Sequence, residues 1–284
     1  MPFAACQAGP VLPATCLSLH RPTRPTGAAV LVLAGSSGAR EDERAGLLAE
    51  HGAVALALRW FGGPGQQPGP YEVPLETFHE AVDLLEQEGE RLGVLGSSFG
   101  AEAALLAAAR DPRTVHVAAL APTPVVWSGV DEVTGRGTSH WTWGGEPVPY
   151  VPFDAACSPS TDPPSFRPLY EQSLRTAADR VPAATIAVEE IGGDVLVVGG
   201  EDDQVWPGAD FARAVADRRS THGLDTAVVT APAAGHRVVL PGERPVRRGR
   251  VMTRGGTPAA DAALGLAAWP HLCRVLGLRA AGAR

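Results

Sequence analysis

Several stretches of the chain carry apolar residues with almost no interruption. Residues 28–34, 91–95, 115–120, 192–200 and 226–230 have this form. Continuous rather than alternating apolar runs of this length predict strands buried on both faces. Between them lie stretches of strong helix formers at 41–50, 101–110 and 207 to about 219. Strand and helix therefore alternate from residue 28 to residue 230, which predicts a mostly parallel central sheet with helices on both faces. One interval breaks the rhythm. About 70 residues separate the strand at 115–120 from the one ending near residue 200, too many for a simple crossover. This interval holds Trp127, Trp141, Trp143, Tyr150, Phe153, Phe166 and Tyr170, in a chain otherwise poor in aromatic residues. A lid or cap insertion at about 127–190 is the expected structure. Its rings either pack it onto the body or line an apolar pocket, and Trp127, Trp141 and Trp143 are the candidate substrate contacts.

The strand at 91–95 runs into Gly96-Ser97-Ser98-Phe99-Gly100, and a helix pattern follows. Strand, G-x-S-x-G and helix in that order form the nucleophile elbow of an α/β-hydrolase. Small residues at 96 and 100 let helix and strand approach, so a tight turn can hold Ser98 exposed in a strained conformation. The Phe99 N–H, at the positive end of the helix, is then a candidate oxyanion donor. A second donor belongs to an early loop after a strand. Gly35-Ser36-Ser37-Gly38 follows the strand at 28–34 and offers the N–H of Ser36, with Ser37 as the alternative. The acid and the base should follow in that order. Asp202 and Asp203 lie just past the strand ending at Gly200, and hydrolases of this type place the acid four residues before a proline, which selects Asp203 ahead of Pro207. Of the eight histidines, His236 sits in a loop after a strand and follows a glycine. It is the expected base.

At 284 residues the chain suits one α/β domain covering 1–284. Composition adds exclusions. Every basic residue is arginine, so lysine Schiff bases, lysine nucleophiles and a Walker-type phosphate loop are ruled out. A net charge of −7 gives no general electrostatic attraction to nucleic acid. Arg244, Arg247, Arg248 and Arg250 cluster after the His236 loop, either as a solvated loop or as a site for the phosphates of a substrate handle such as coenzyme A. Cys6, Cys16, Cys157 and Cys273 form no metal-ligand pattern, and no metal or cofactor is expected. No basic stretch followed by an apolar run opens the chain, and no run approaches the ~20 residues that span a membrane. A cytoplasmic enzyme is the expectation.

The ordered blocks at 43–62, 73–78, 96–100, 121–127, 139–142, 200–207 and 255–258 resemble the catalytic domain shared by acyl-CoA thioesterases and bile acid-CoA:amino acid N-acyltransferases. The resemblance runs from about 28 to about 278. It implies Ser98, Asp203 and His236 as a triad that cleaves an acyl thioester of coenzyme A or of an acyl carrier protein through an acyl-enzyme. Two departures from the family carry consequences. Only about 27 residues precede the first core strand, so the N-terminal β-sandwich of many relatives is expected to be absent. The acyltransferase branch carries cysteine on the elbow, and serine here favours hydrolysis. Transfer to an amine, cyclisation onto a hydroxyl, and ester or lactone hydrolysis are the alternatives.

Overall fold

A computed structural model describes residues 12–131, 133–244 and 251–280. Cys6 and three members of the arginine cluster, Arg247, Arg248 and Arg250, lie outside the described residues. In chain order the strands are β1 (Leu17–His20), β2 (Ala28–Leu33), β3 (Val54–Leu58), β4 (Val73–Pro74), β5 (Arg91–Ser97), β6 (His116–Leu120), β7 (Ser128–Val130), β8 (Gly137–Ser139), β9 (Trp141–Trp143), β10 (Glu146–Pro147), β11 (Val195–Gly200) and β12 (Ala227–Ala231). The α-helices are α1 (Asp42–Glu50), α2 (Glu76–Glu86), α3 (Phe99–Ala108), α4 (Arg167–Thr176), α5 (Val181–Ala184), α6 (Gly208–Thr221) and α7 (Pro258–Leu276).

Seven strands form the central sheet in the order β1-β3-β2-β5-β6-β11-β12. All neighbours are parallel except the edge strand β1, which runs antiparallel to β3. Alternate residues of one strand feed opposite faces of the sheet, as a period of two requires. Leu31 and Leu33 pack with Phe78 of α2, Leu105 of α3 and Val215 of α6. Val30 and Val32 pack on the other side with Leu48 of α1 and Leu272 of α7. Every residue of β2, β3, β6 and β11 is buried, so these strands read as unbroken apolar runs in the sequence.

The long interval carries a third apolar cluster. Val125, Trp127, Val151, Tyr170 and Ala184 pack there against Val205, Trp206 and Phe211. β7 and β8 form an antiparallel pair within it, and β9 bridges β10 and β4. The segment is thus tied to the body through β4 as well as through its rings. No helix among the described residues is long and apolar enough to cross a membrane.

Candidate active site

β5 and α3 meet at Ser98, whose backbone has φ 56° and ψ −123°. That conformation is strained for a residue with a Cβ, and close packing on both sides enforces it. A Cβ on Gly96 would sit 2.0 Å from the Gly100 carbonyl oxygen, and one on Gly100 would sit 2.4 Å from that of Ala34. Neither position accepts a side chain. The Ser98 N–H donates to Leu120 O of β6 (2.9 Å), which ties the elbow to the neighbouring strand.

Three side chains from three strand ends converge here. The Ser98 hydroxyl lies 2.9 Å from His236 Nε2, and His236 Nδ1 lies 2.7 Å from Asp203 Oδ2. Asp203 is completely buried. Its other oxygen, Oδ1, accepts the N–H groups of Val205 (2.8 Å) and Trp206 (3.2 Å). Those donors stabilise the ionised carboxylate and leave Oδ2 for the imidazole. The His236 N–H donates to Arg254 O, and the edge of Trp206 meets the imidazole with centroids 5.1 Å apart. This arrangement suits an imidazole with its proton on Nδ1 and Nε2 facing the serine hydroxyl. Asp202 has a different task. Its two oxygens accept Gln204 Nε2 and the Gly256 N–H, bracing the loop behind His236.

The neighbouring hydroxyl of Ser97 is engaged elsewhere. It accepts from Arg44 Nη1 at 2.6 Å, and Arg44 forms a two-pronged ion pair with Glu243 (2.5 and 2.9 Å), each side chain only 8% exposed. Burial pulls the Arg44 pKa down, and the Glu243 carboxylate more than reverses this, so the guanidinium is held above its ordinary value. Asp261 braces the opposite side by accepting the Gly235 N–H (2.8 Å). Burial raises its carboxyl above the usual carboxylate range, against that hydrogen bond and the nearby Arg237 charge.

A cavity of about 560 Å³ opens over Ser98 and His236. Ser36, Ser37 and Phe99 are on its wall, so the structure brings both proposed oxyanion segments to the nucleophile. Gly35 underlies this approach: a Cβ there would lie 3.0 Å from that of Ser98. Phe153, Phe166, Leu169, Tyr170, Val205 and Met252 supply an apolar side. Arg237, Arg244 and Arg254 supply positive charge, and burial pushes Arg237 and Arg254 below their ordinary values.

The three tryptophans put forward from the sequence are not on this wall. Trp127 and Trp141 are fully buried in the packing beneath it, with their indole N–H groups donating to Thr123 and Glu102. Trp143 is 41% exposed and meets His79 at the far end of β9. Trp127 and Trp141, large flat rings with a satisfied N–H, underlie this segment, and the smaller rings Phe153, Phe166 and Tyr170 face the cavity. Sequence reasoning also passed over Arg44, Glu102 and His140. The available signal was Glu102 as the one ionisable residue of the apolar helix α3 and a histidine between two short strands; nothing set Arg44 apart from the other charged residues of α1. Among the described residues no cluster of His, Cys, Asp and Glu is disposed to hold a metal ion.

Comparison with known proteins places the chain in a family. Residues 73–277 match the family described as BAAT / Acyl-CoA thioester hydrolase C terminal. The chain belongs to this family. Curated members similar to it include acyl-coenzyme A thioesterase 6 of Mus musculus, 26% identical over 261 residues, and acyl-coenzyme A amino acid N-acyltransferase 2 of Rattus norvegicus, 27% identical over 258. Each alignment covers 86% of the chain and 58% of the relative, so the chain spans a little over half the length of these family members. Among solved structures, a putative dienelactone hydrolase from Klebsiella pneumoniae subsp. pneumoniae MGH 78578 is similar with a TM-score of 0.52 at 15% identity, over 90% of both chains. The fold is that of the α/β-hydrolases.

Proposed function

We propose that this protein is a serine thioesterase that hydrolyses acyl-coenzyme A through an acyl-enzyme. The observation that carries the reading is the continuous hydrogen-bonded line Ser98 Oγ, His236 Nε2, His236 Nδ1, Asp203 Oδ2 at the floor of a cavity with one apolar side. Ser98 attacks the thioester carbonyl while His236 takes its proton. The developing oxyanion is held by the N–H of Phe99, at the N-terminus of α3, and by the N–H of Ser36. His236 then returns the proton to the departing thiolate. Water, deprotonated by His236, attacks the Ser98 ester and releases the acid. Asp203 keeps the imidazole in the tautomer that both steps need. The apolar side suits an acyl chain, and the arginines suit a phosphate-bearing carrier.

Serine on the elbow favours water over an amine as acceptor, because an oxygen ester is less reactive toward amines than a thioester. The similarity to a relative named as an amino acid N-acyltransferase makes transfer the second reading. The test is free-thiol release from a panel of linear and branched acyl-CoAs of increasing length, by wild type and Ser98→Ala, with products identified by mass spectrometry with and without glycine or taurine. Release by wild type alone, giving the free acid, supports the thioesterase. An amide product moves the assignment to transfer. A Ser98→Ala protein that keeps most of the activity refutes Ser98 as nucleophile. No release from any acyl-CoA, with Ser98 still labelled by a fluorophosphonate, directs the search to carrier-protein thioesters or to esters.

A further inference from the structure

A second carboxylate–imidazole pair adjoins the same cavity, with its imidazole on the wall and its carboxylate behind, and the chemistry described above does not use it. Glu102 lies one turn into α3, where its N–H donates to Ser98 O, and it is completely buried in a helix of alanine and leucine. Its Oε1 accepts three donors: the Trp127 N–H (3.1 Å), Trp141 Nε1 (2.8 Å) and His140 Nδ1 (3.2 Å). Its Oε2 is buried with no partner among the described residues. Burying an acid is costly unless hydrogen bonds replace its lost hydration, and here those bonds also fix their donors in place. What it holds is His140. That imidazole, the single residue between β8 and β9, packs on the Phe99 ring with centroids 4.2 Å apart. It is only 2% exposed, yet it lines the cavity together with Ser98, Phe99 and His236. Nδ1 makes its only hydrogen bond among the described residues, which leaves Nε2 without a partner among them.

Resting on the thioesterase reading, we infer that His140 is a specificity-determining residue whose Nε2 hydrogen-bonds a polar substituent on the acyl group close to the thioester. The substrate class is then a hydroxyacyl thioester, whose O–H donates to Nε2, rather than a plain saturated one. The acyl side is favoured over the carrier side by depth. His140 is almost fully buried, whereas exposed Arg244 marks the solvent end of the wall. A polar atom on a cavity wall that only the right ligand satisfies rejects the analogue lacking that group, since binding then desolvates the atom without replacing its hydrogen bond.

The test compares kcat/KM for α-, β- and γ-hydroxyacyl-CoAs with that for the unsubstituted acyl-CoA of equal chain length, and reads the ratio rather than the rate. Wild type is expected to prefer one hydroxylated position by about 10- to 100-fold. His140→Asn places its amide nitrogen where Nδ1 lies, keeping the bond to Glu102 while removing Nε2, and should bring the ratio to near one. His140→Gln reaches to the Nε2 position and should restore part of the preference. A ratio near one in wild type, or one unchanged in His140→Asn, overturns the inference even where thiol release from plain acyl-CoAs upholds the thioesterase. Equal loss on all substrates in both variants, the signature of a purely structural imidazole, overturns it as well. The same pairs presented as p-nitrophenyl esters report the ratio if the thioester reading itself fails.

Discussion

Asp203→Asn separates tautomer control from mere packing, because the structure dictates how the amide must sit. Oδ1 of Asp203 faces two backbone N–H donors, from Val205 and Trp206. An asparagine in the same pocket has to present its carbonyl oxygen to them, since its NH₂ would meet two donors. The NH₂ group is thereby turned toward His236 Nδ1, at the 2.7 Å position now occupied by Oδ2. Nδ1 must then accept, which moves the ring proton to Nε2, the nitrogen that faces the Ser98 hydroxyl. The imidazole can no longer take the serine proton. The corresponding tautomer error in a serine protease costs about 10⁴ in kcat, equivalent to about 5.4 kcal/mol of transition-state stabilisation. The substitution is nearly isosteric and keeps both backbone hydrogen bonds, so it should leave the fold intact. Thiol release measures the rate, and ¹⁵N chemical shifts of His236 report the tautomer directly. A variant with more than a tenth of wild-type turnover, or with the proton still on Nδ1, would refute this account of Asp203.

Further outcomes follow from the packing around the elbow. Gly100→Ala should destabilise the fold by about 3 kcal/mol or more in urea unfolding, because its Cβ would lie 2.4 and 2.7 Å from the carbonyl oxygens of Ala34 and Leu33, backbone atoms of a central strand that cannot turn aside; a loss under 1 kcal/mol contradicts the close approach. Arg44→Met strands the buried Glu243 carboxylate and should cost about 3–5 kcal/mol, much of it recovered in the double variant Arg44→Met, Glu243→Leu; additive losses would show that the pair is not coupled. The raised pKa of Asp261 fixes a sign in pH dependence. The folded state holds that proton more tightly than the unfolded one, so its contribution is fully present below the unfolded value and is lost as pH rises through the folded value. Asp261→Asn keeps an acceptor for the Gly235 N–H and should gain stability relative to wild type as pH rises from 4 to 7; a pH-independent difference between the two denaturation curves rejects this.

How much of this was legible in the sequence depended on whether a feature is local. The helix pattern at 101–110 corresponds to α3 at Phe99–Ala108, and the apolar run at 28–34 to β2 at Ala28–Leu33. β2 lies inside the covered sheet and α3 is buried nearly all round against it, so both patterns are continuously apolar and hard to mistake. The elbow was readable because its requirement is a matter of adjacent residues: glycine at 96 and 100 is a consequence of carbonyl oxygens 2.0 and 2.4 Å from where a Cβ would be. The elbow motif, chain order, strand ends and the spacing to Pro207 picked out Ser98, Asp203 and His236, and the structure puts His236 within hydrogen-bonding distance of both others.

The aromatic insertion was a different matter. Richness in rings marked residues 127–190 as special, but a ring that supports a wall and a ring that forms its surface have the same composition. Tertiary packing put Trp127 and Trp141 underneath and Phe153, Phe166 and Tyr170 on the cavity. The partners of Glu102 and Arg44 were equally out of reach, because His140 lies 38 residues from one and Glu243 lies 199 from the other. The sequence by itself determined the sheet, the elbow and the order of the reactive groups, since each follows from neighbours along the chain. The wall of the cavity, the burial of its two unexpected ionisable groups and the free nitrogen of His140 were decided only when distant segments packed together, for burial and desolvation belong to the assembled fold.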